Sequence, residues 1–262
     1  MIFDKFSPTQ KGIKSRRQLL FSKTSIKPFN DPDLYNLFFD KQLTYEILSK
    51  YAIPTISLDV DSLQSINDSC QLLTDLLPHS SNSNDFTDDI IMKDRFGAGG
   101  RHVYKFKSNQ SKSMLAIANK NPHISFIIQP FITSISAPTD IRLVYLMGQI
   151  VQSYIRVAAA GEFRCNEHQG GLLTYLSLAE ISPLLIAKSN SIAEIINKNY
   201  SLYALDFITS NHGNTYLVEG NTGPGLDWNV DLKVNETKAK KLINLVVAEL
   251  AVRAKTQLGY LN

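Results

Sequence analysis

What most limits the fold is the order of strand and helix patterns beyond residue 140. IRLVYLMG (141–148) and QIVQSYIRVA (149–158) are two β-rich runs that meet at Gly148. So short a connection closes an antiparallel pair, because parallel strands need a crossover of about a dozen residues or more. A second pair is expected at 203–208 and 215–221, joined by a polar link that contains Asn211 and Gly213. Between the pairs, Ile181, Leu184, Leu185, Ile192, Ile195 and Ile196 recur at helical spacing, predicting a helix over 181–199. Strands that pair without an intervening helix exclude strict βαβ alternation and place the chain in the α+β class.

The first half follows the same logic. Residues 40–50 predict a helix with Leu43, Ile47 and Leu48 on one face, capped by Asp40 and stopped at Ile53-Pro54. TISLDV (55–60) reads as a short strand, 61–76 as a helix and HSSNSND (79–85) as a polar loop. A strand over 89–92 runs into a glycine cluster and returns over 101–107, and 111–120 predicts a helix. A buried strand over 125–129 is expected to break at Pro130. The last helix is expected over 235–258, with Asn235 as its cap.

Composition excludes several classes. Cys70 and Cys165 make neither a disulfide framework nor a CxxC pair, so a reducing, cytoplasmic setting is expected. No apolar run reaches the roughly 18 residues of a membrane span, and no secretory signal is visible. Residues 1–30 carry a net charge of +6 and the remainder −3. The basic segment lacks regular aromatic interleaving and the body is mildly acidic, which argues against a dedicated nucleic-acid binder.

Three groups of residues carry chemistry. Lys93 ends a strand just before Gly97, Ala98, Gly99 and Gly100. Glycines let backbone N–H groups approach a phosphate, and a lysine adds a point charge. No GK[ST] follows, and His102 stands where a dinucleotide fingerprint needs its third glycine. Phosphate binding and a flexible hairpin turn both fit these residues.

In the second group, alternation puts Glu219 and Asn221 on one strand face, and Asp206 is expected to meet them across the hairpin. Two carboxylates and an amide oxygen suit Mg²⁺ beside substrate phosphates. The alternative is a solvent-facing polar side of a hairpin. The third group is basic. Arg142 and Arg156 lie on central strands, and Arg164, Asn166 and His168 alternate ahead of Gly170-Gly171. Arginine suits carboxylate and phosphate oxygens. His168 is a candidate general base or a structural histidine, and Cys165 reads as packing.

Taken in chain order, the motifs are a DK helix, a lysine strand before a glycine loop, a QxFI segment, a DxR strand pair, an RxNxHxGG segment and a D…ExN pair. This order resembles the ATP-grasp superfamily, most closely its RimK-like branch of carboxylate–amine ligases, over about residues 30–262. The resemblance implies two α+β lobes, 40–132 and 133–262, with ATP between antiparallel sheets. Residues 1–39 then form a short basic segment in place of a reduced or missing pre-ATP-grasp domain.

It also implies ATP and Mg²⁺ or Mn²⁺ as cofactors. Lys41 and Lys93 would meet the phosphates, beneath Gly97, Ala98, Gly99 and Gly100. Gln129, Pro130, Phe131 and Ile132 would form the adenine hinge, and Asp140 would contact the nucleotide. Arg164 and Asn166 would reach ATP and the reacting carboxylate, with Arg156 facing the phosphoryl-transfer centre. Asp206, Glu219 and Asn221 would ligate the metal. Pro130 stands where a glutamate is usual, Gln169 where an arginine is common, and Asp94 is an unusual neighbour for the phosphate lysine.

The implied activity is ligation of a small-molecule or peptide carboxylate to an amine or amino acid through an acyl phosphate. The implied partners are a second copy or a chain supplying the N-terminal domain. An ATP-grasp kinase and a non-catalytic nucleotide-binding regulatory module remain the alternatives.

Overall fold

In the computed structural model, which describes residues 13–23, 28–77, 85–132, 138–166, 169–198, 201–225 and 233–257, two aspartates set the first buried helices. Helix α1 covers Ile13–Lys23. Asp31 accepts from Asp33 N and precedes Pro32, which starts α2 (Pro32–Phe39). Asp40 ends α2 and caps α3 (Lys41–Leu48), accepting from Gln42 N and Leu43 N. The helix predicted from residue 40 is α3. Helix α2 lies outside every predicted helix, although Asp31-Pro32 is a start signal.

A four-stranded antiparallel sheet follows. Its elements are β1 (Ile56–Ser57), α4 (Leu63–Asp75), β2 (Phe86–Asp94), β3 (Val103–Lys107), α5 (Ser111–Lys120) and β4 (Phe126–Ile132). The strand order is β1-β4-β2-β3. Ile90, Met92, Phe126 and Ile128 face α4 and α5 and pack with Ile66, Leu73 and Met114. Alternation therefore turns Ile91 and Lys93 to the other face. Most of the polar 79–85 stretch lies outside the described residues.

Two expectations change here. TISLDV contributes only Ile56 and Ser57 to the sheet. Pro130 does not break its strand, because β4 continues to Ile132. Strand β1 pairs only with Ile127 and Ile128, so one side of β4 is an edge at Pro130. Pairing with β2 also shifts register next to Ile90↔Pro130. Edges and bulges are the places where a strand tolerates a residue without an N–H.

The second sheet has five antiparallel strands in the order β7-β6-β5-β8-β9. These are β5 (Thr139–Leu146), β6 (Gln149–Val157), β7 (Leu172–Leu176), β8 (Leu202–Thr209) and β9 (Thr215–Asn221). The β5–β6 and β8–β9 hairpins stand where their turns predicted them. Helix α6 (Pro183–Ile196) starts on Pro183 and closes on Asn197 at φ 48°. Leu185, Ile192 and Ile196 are buried, whereas Leu184 and Ile195 face outward. Helix α7 spans Lys233–Gln257, so Asn235 lies inside it, buried, and is not its cap.

Helices cover both faces of this sheet. Leu34, Phe38 and Leu48 of α2 and α3 pack with α6 on Leu143, Tyr145, Tyr203 and Leu205. Leu242 and Val246 of α7 pack with Phe29 on Val144, Leu146, Leu202 and Ala204. Asp140, Arg142 and Asp206 continue that second face by strand periodicity. There it turns from apolar to charged. Among the described residues, no helix is long and apolar enough to cross a membrane.

Candidate active site

The charged stretch of the second sheet and the Lys93 face of the first border one cleft of about 160 Å³. The first sheet contributes Lys93, Gln129, Pro130, Phe131 and Ile132. The second contributes Asp140, Arg156, Asp206 and Glu219. Lys41 enters from α3, and Gly97, Ala98, Gly99, Gly100, Arg164 and Asn166 close the mouth. Among the described residues, Asn221 and Arg142 are sequence-predicted candidates that do not line the cleft. Asn221 pairs with Ala204 two rungs beyond Glu219, and its Oδ1 accepts from Gly223 N at 2.8 Å.

Lys93 is only 6% exposed on β2, between Val103 and Ile127. Among the described residues it makes no ion pair. Burial pushes its ammonium down to about 8, the charge of Glu219 opposes that, and Lys41 adds to it. Lys41 is lowered by burial too, against the charges of Glu219, Asp94 and Asp40. Glu219 is thus the carboxylate whose charge acts on both ammonium groups.

Beside them a row of side chains crosses four strands. Tyr154 is opposite Arg142, Arg142 opposite Asp206, and Asp206 opposite Glu219. Arg142 donates through Nε and Nη2 to both Asp206 oxygens at 2.5 Å. Arg156 donates to Asp140 at 2.7 and 2.9 Å and to Asp206 Oδ2 at 2.9 Å. Burial disfavours an ionised Asp206, but the two guanidinium charges win and hold its carboxyl below the ordinary value. Asp140 goes the other way, up to about 6, through burial and the neighbouring Asp206 charge.

Among the described residues, no three His, Cys, Asp or Glu side chains gather to hold a metal by themselves. Asp206 and Glu219 supply two hard oxygen donors in the same cleft as Lys41 and Lys93. That set fits Mg²⁺, which commonly takes one or two carboxylates and completes its shell with substrate phosphates and water.

The glycine loop is tied down at both ends. Asp94 Oδ1 accepts from Phe96 N at 2.8 Å, which gives this acid a turn-forming role. Arg95 forks onto Asp40 at 2.6 Å, and Lys41 Nζ donates to the carbonyl of Gly97. Arg164 Nη1 donates to the carbonyl of Gly100 at 3.1 Å, while its other nitrogens hold Glu162. Arg164 holds the Glu162 carboxyl down at about 2. Gly100 has φ +71°, and a Cβ there would lie 2.8 Å from Asn166 Oδ1. Gly100→Ala should therefore lower nucleotide affinity by about tenfold or more, with a change in melting temperature of only a few degrees. Isothermal titration with ADP and a melting curve will check this.

The remaining candidates separate clearly. Gln129 Nε2 donates to Thr55 Oγ1 at 2.8 Å, and the Phe131 ring meets Phe163 edge-on and carries Lys105 Nζ at 3.5 Å from its centroid. Cys165 is buried, its Sγ donates to the Pro138 carbonyl, and burial pushes its thiol up to about 12, so it packs and does not attack. Gly171 lets the chain pass where a Cβ would lie 2.3 Å from the Cys165 carbonyl oxygen, which explains half of the double glycine. His168 lies outside the described residues. Sequence reasoning missed the Glu162–Arg164 and Asp40–Arg95 pairs. Only the strand register of Arg142 hinted at its grip on Asp206.

Comparison with known proteins adds three findings. The sequence model of a RimK-like ATP-grasp domain matches residues 39–246. A probable alpha-L-glutamate ligase of Legionella pneumophila (strain Corby) is 33% identical over 157 residues, 60% of this chain and 49% of that one. One from Pasteurella multocida (strain Pm70) is 29% identical over 137 residues, 52% and 42% of the two chains. The chain thus spans about half the length of the curated relatives it matches.

Among solved structures, D-alanyl-alanine synthetase A from Vibrio cholerae aligns with TM-score 0.64 at 17% identity, covering 92% of this chain and 74% of that one. D-alanine–D-alanine ligase from Bacillus anthracis, solved with ATP, aligns with TM-score 0.56 at 16% identity, covering 94% and 76%. At these identities the likeness is one of fold.

Proposed function

This chain belongs to the RimK-like ATP-grasp family, and from that premise we propose that it is an ATP- and Mg²⁺-dependent ligase joining a carboxylate to an amine. The observation that carries the reading is one cleft that combines the buried Lys93, the half-buried Lys41, Arg156, Arg164 and the Asp206–Glu219 pair under a glycine loop. The relatives' name makes glutamate the first amine to test. The reading treats 40–132 and 133–262 as the two lobes that clasp the nucleotide. Cys70 and Cys165 are free thiols, which suits a reducing cytoplasmic setting.

Each residue has a role in this scheme. Lys41 and Lys93 hold the nucleotide phosphates as point charges, and the loop amides around Gly99 close over them. Gln129, Pro130, Phe131 and Ile132 receive the adenine, and Asp140 contacts the nucleotide. Asp206 and Glu219, joined by Asn221 once its side-chain oxygen leaves Gly223 N, would hold Mg²⁺, which when bound would neutralise charge on the transferring phosphoryl group. Arg156 and Arg164, with Asn166, orient the acceptor carboxylate against that group.

A carboxylate oxygen attacks the γ-phosphorus and ADP leaves. The amine nitrogen then attacks the acyl carbon, phosphate leaves, and the nitrogen loses a proton. Such a transfer needs positioning and charge neutralisation, which lysines and arginines supply. At about 160 Å³ the cleft is smaller than the roughly 300–1,000 Å³ of ligand pockets. The loop must therefore release Lys41 and Arg164 to admit ATP, and its return shields the acyl phosphate from water.

The test is ADP release with glutamate as the amine and a panel of carboxylates, with hydroxylamine present to trap the acyl phosphate. Metal-dependent ADP release and a hydroxamate are expected. A stable phosphoester would make the protein a kinase. ATP binding with no phosphate release across the panel would make it a regulatory nucleotide-binding module.

A further inference from the structure

Resting on that reading of the site, we infer that Arg142 is a positioning residue that presents Asp206 to the metal. Arg142 does not line the cleft, whereas Asp206 and Arg156 do. It stands behind Asp206, directly opposite it on the neighbouring strand, and is itself only 7% exposed. Its fork takes both carboxylate oxygens at 2.5 Å, and Nη1 reaches the hydroxyl of Tyr154, on the strand beyond, at 3.4 Å. The guanidinium is thus held from both sides.

The hydrogen bonds on Asp206 divide unevenly. Oδ2 accepts from Arg142 and Arg156, and Oδ1 accepts from Arg142 alone. A carboxylate offers about four lone-pair positions, so the open one lies on Oδ1. Arg142 thereby orients the carboxylate and leaves one oxygen position for a cation. The two arginines differ in task. Arg156 also serves Asp140 and faces the cleft, while Arg142 serves Asp206 and touches neither nucleotide nor substrate.

Planarity is what the position requires. A lysine would keep the charge but lose the two-point grip that sets the carboxylate plane. Groups behind a metal ligand commonly change metal affinity by about 10–100-fold when replaced.

The test is Mn²⁺ binding, followed by electron paramagnetic resonance in the presence of ADP, on the full chain. Arg142→Lys should weaken Mn²⁺ binding by about 10–100-fold. Its affinity for ADP without metal should stay within about twofold, a split that a purely structural role would not produce. If Arg142→Lys does not fold, Arg142→Gln carries the same comparison, because it keeps one donor and buries no unpaired cation. Mn²⁺ affinity within about twofold of wild type in a folded variant overturns the inference alone. Failure of both variants to fold assigns Arg142 to the scaffold and also overturns it. A wild-type protein that binds no Mn²⁺ with ADP overturns the ligase reading and this inference together.

Discussion

Lys93→Met will remove turnover and, at the same time, stabilise the nucleotide-free protein. Loss of a preorganised charge at the phosphates should lower kcat by at least roughly 10²–10³-fold. Stability moves the other way because Lys93 is buried with no ion pair among the described residues, and its ammonium is pushed down to about 8 from 10.5. At neutral pH the folded protein bears that desolvation cost, about 3 kcal/mol. Methionine fills a similar volume and carries no charge.

The sign of the pH dependence follows directly. Below pH 8 both folded and unfolded wild type hold the proton, and the cost is constant. Between 8 and 10.5 the folded state loses the proton first, so wild-type stability rises with pH. The advantage of Lys93→Met should therefore be full at pH 7 and fade as pH approaches 10.5. Urea unfolding at both pH values will measure it. An Lys93→Met protein no more stable than wild type at pH 7 would show that the lysine is paired or hydrated in solution.

Asp206→Ala should have the opposite effect on the fold. It leaves Arg142 and Arg156 buried and, among the described residues, Arg142 with the Tyr154 hydroxyl and Arg156 with Asp140 as their remaining side-chain hydrogen-bond partners. Breaking a buried pair on one side costs about 3–5 kcal/mol, chiefly because the remaining charge is stranded. Glu219→Gln is the matched control. Glu219 has no ion pair among the described residues, and it faces Lys41 and Lys93 across the cleft. Its replacement should cost little stability yet remove the magnesium-dependent thermal shift with ATP.

The Asp206 contribution has its own pH window. Its carboxyl is held below 3.8, so the stabilisation is present above that value and lost as pH falls through the lower folded value. Urea unfolding at pH 7 and pH 3 for the three proteins will separate these effects. Equal stability of Asp206→Ala and Glu219→Gln at pH 7 would remove the buried-pair account.

The amino-acid pattern alone determined the elements that close locally. Gly148 and the Asn211–Gly213 link set two hairpins, but each ladder also carries a register shift, between Val144 and Tyr145 in one and between Asp206 and Phe207 in the other, that no turn fixes. Spacing brings Asp206 near Glu219, and the shift between Asp206 and Phe207 is what sets the two directly opposite each other; the Asp40 cap of α3 is a local signal and could be read as such. The extra residue in β9, Val218, lets Leu217 stay in the core while Glu219 reaches the cleft.

Tertiary structure decided what depends on distant chain. Pro130 continues a strand because β1 ends before it and β2 bulges beside it. Helices α2 and α3, early in the chain, pack on the second sheet. Lys41 meets the carbonyl of Gly97 across 56 positions, and Arg142 grips Asp206 across 64. Contacts at such separations are chosen by the packing of whole sheets and helices, with the cost of loop closure met by the burial of the core. Alternation along one strand shows which face a residue takes, and only the assembled sheets show what that face meets.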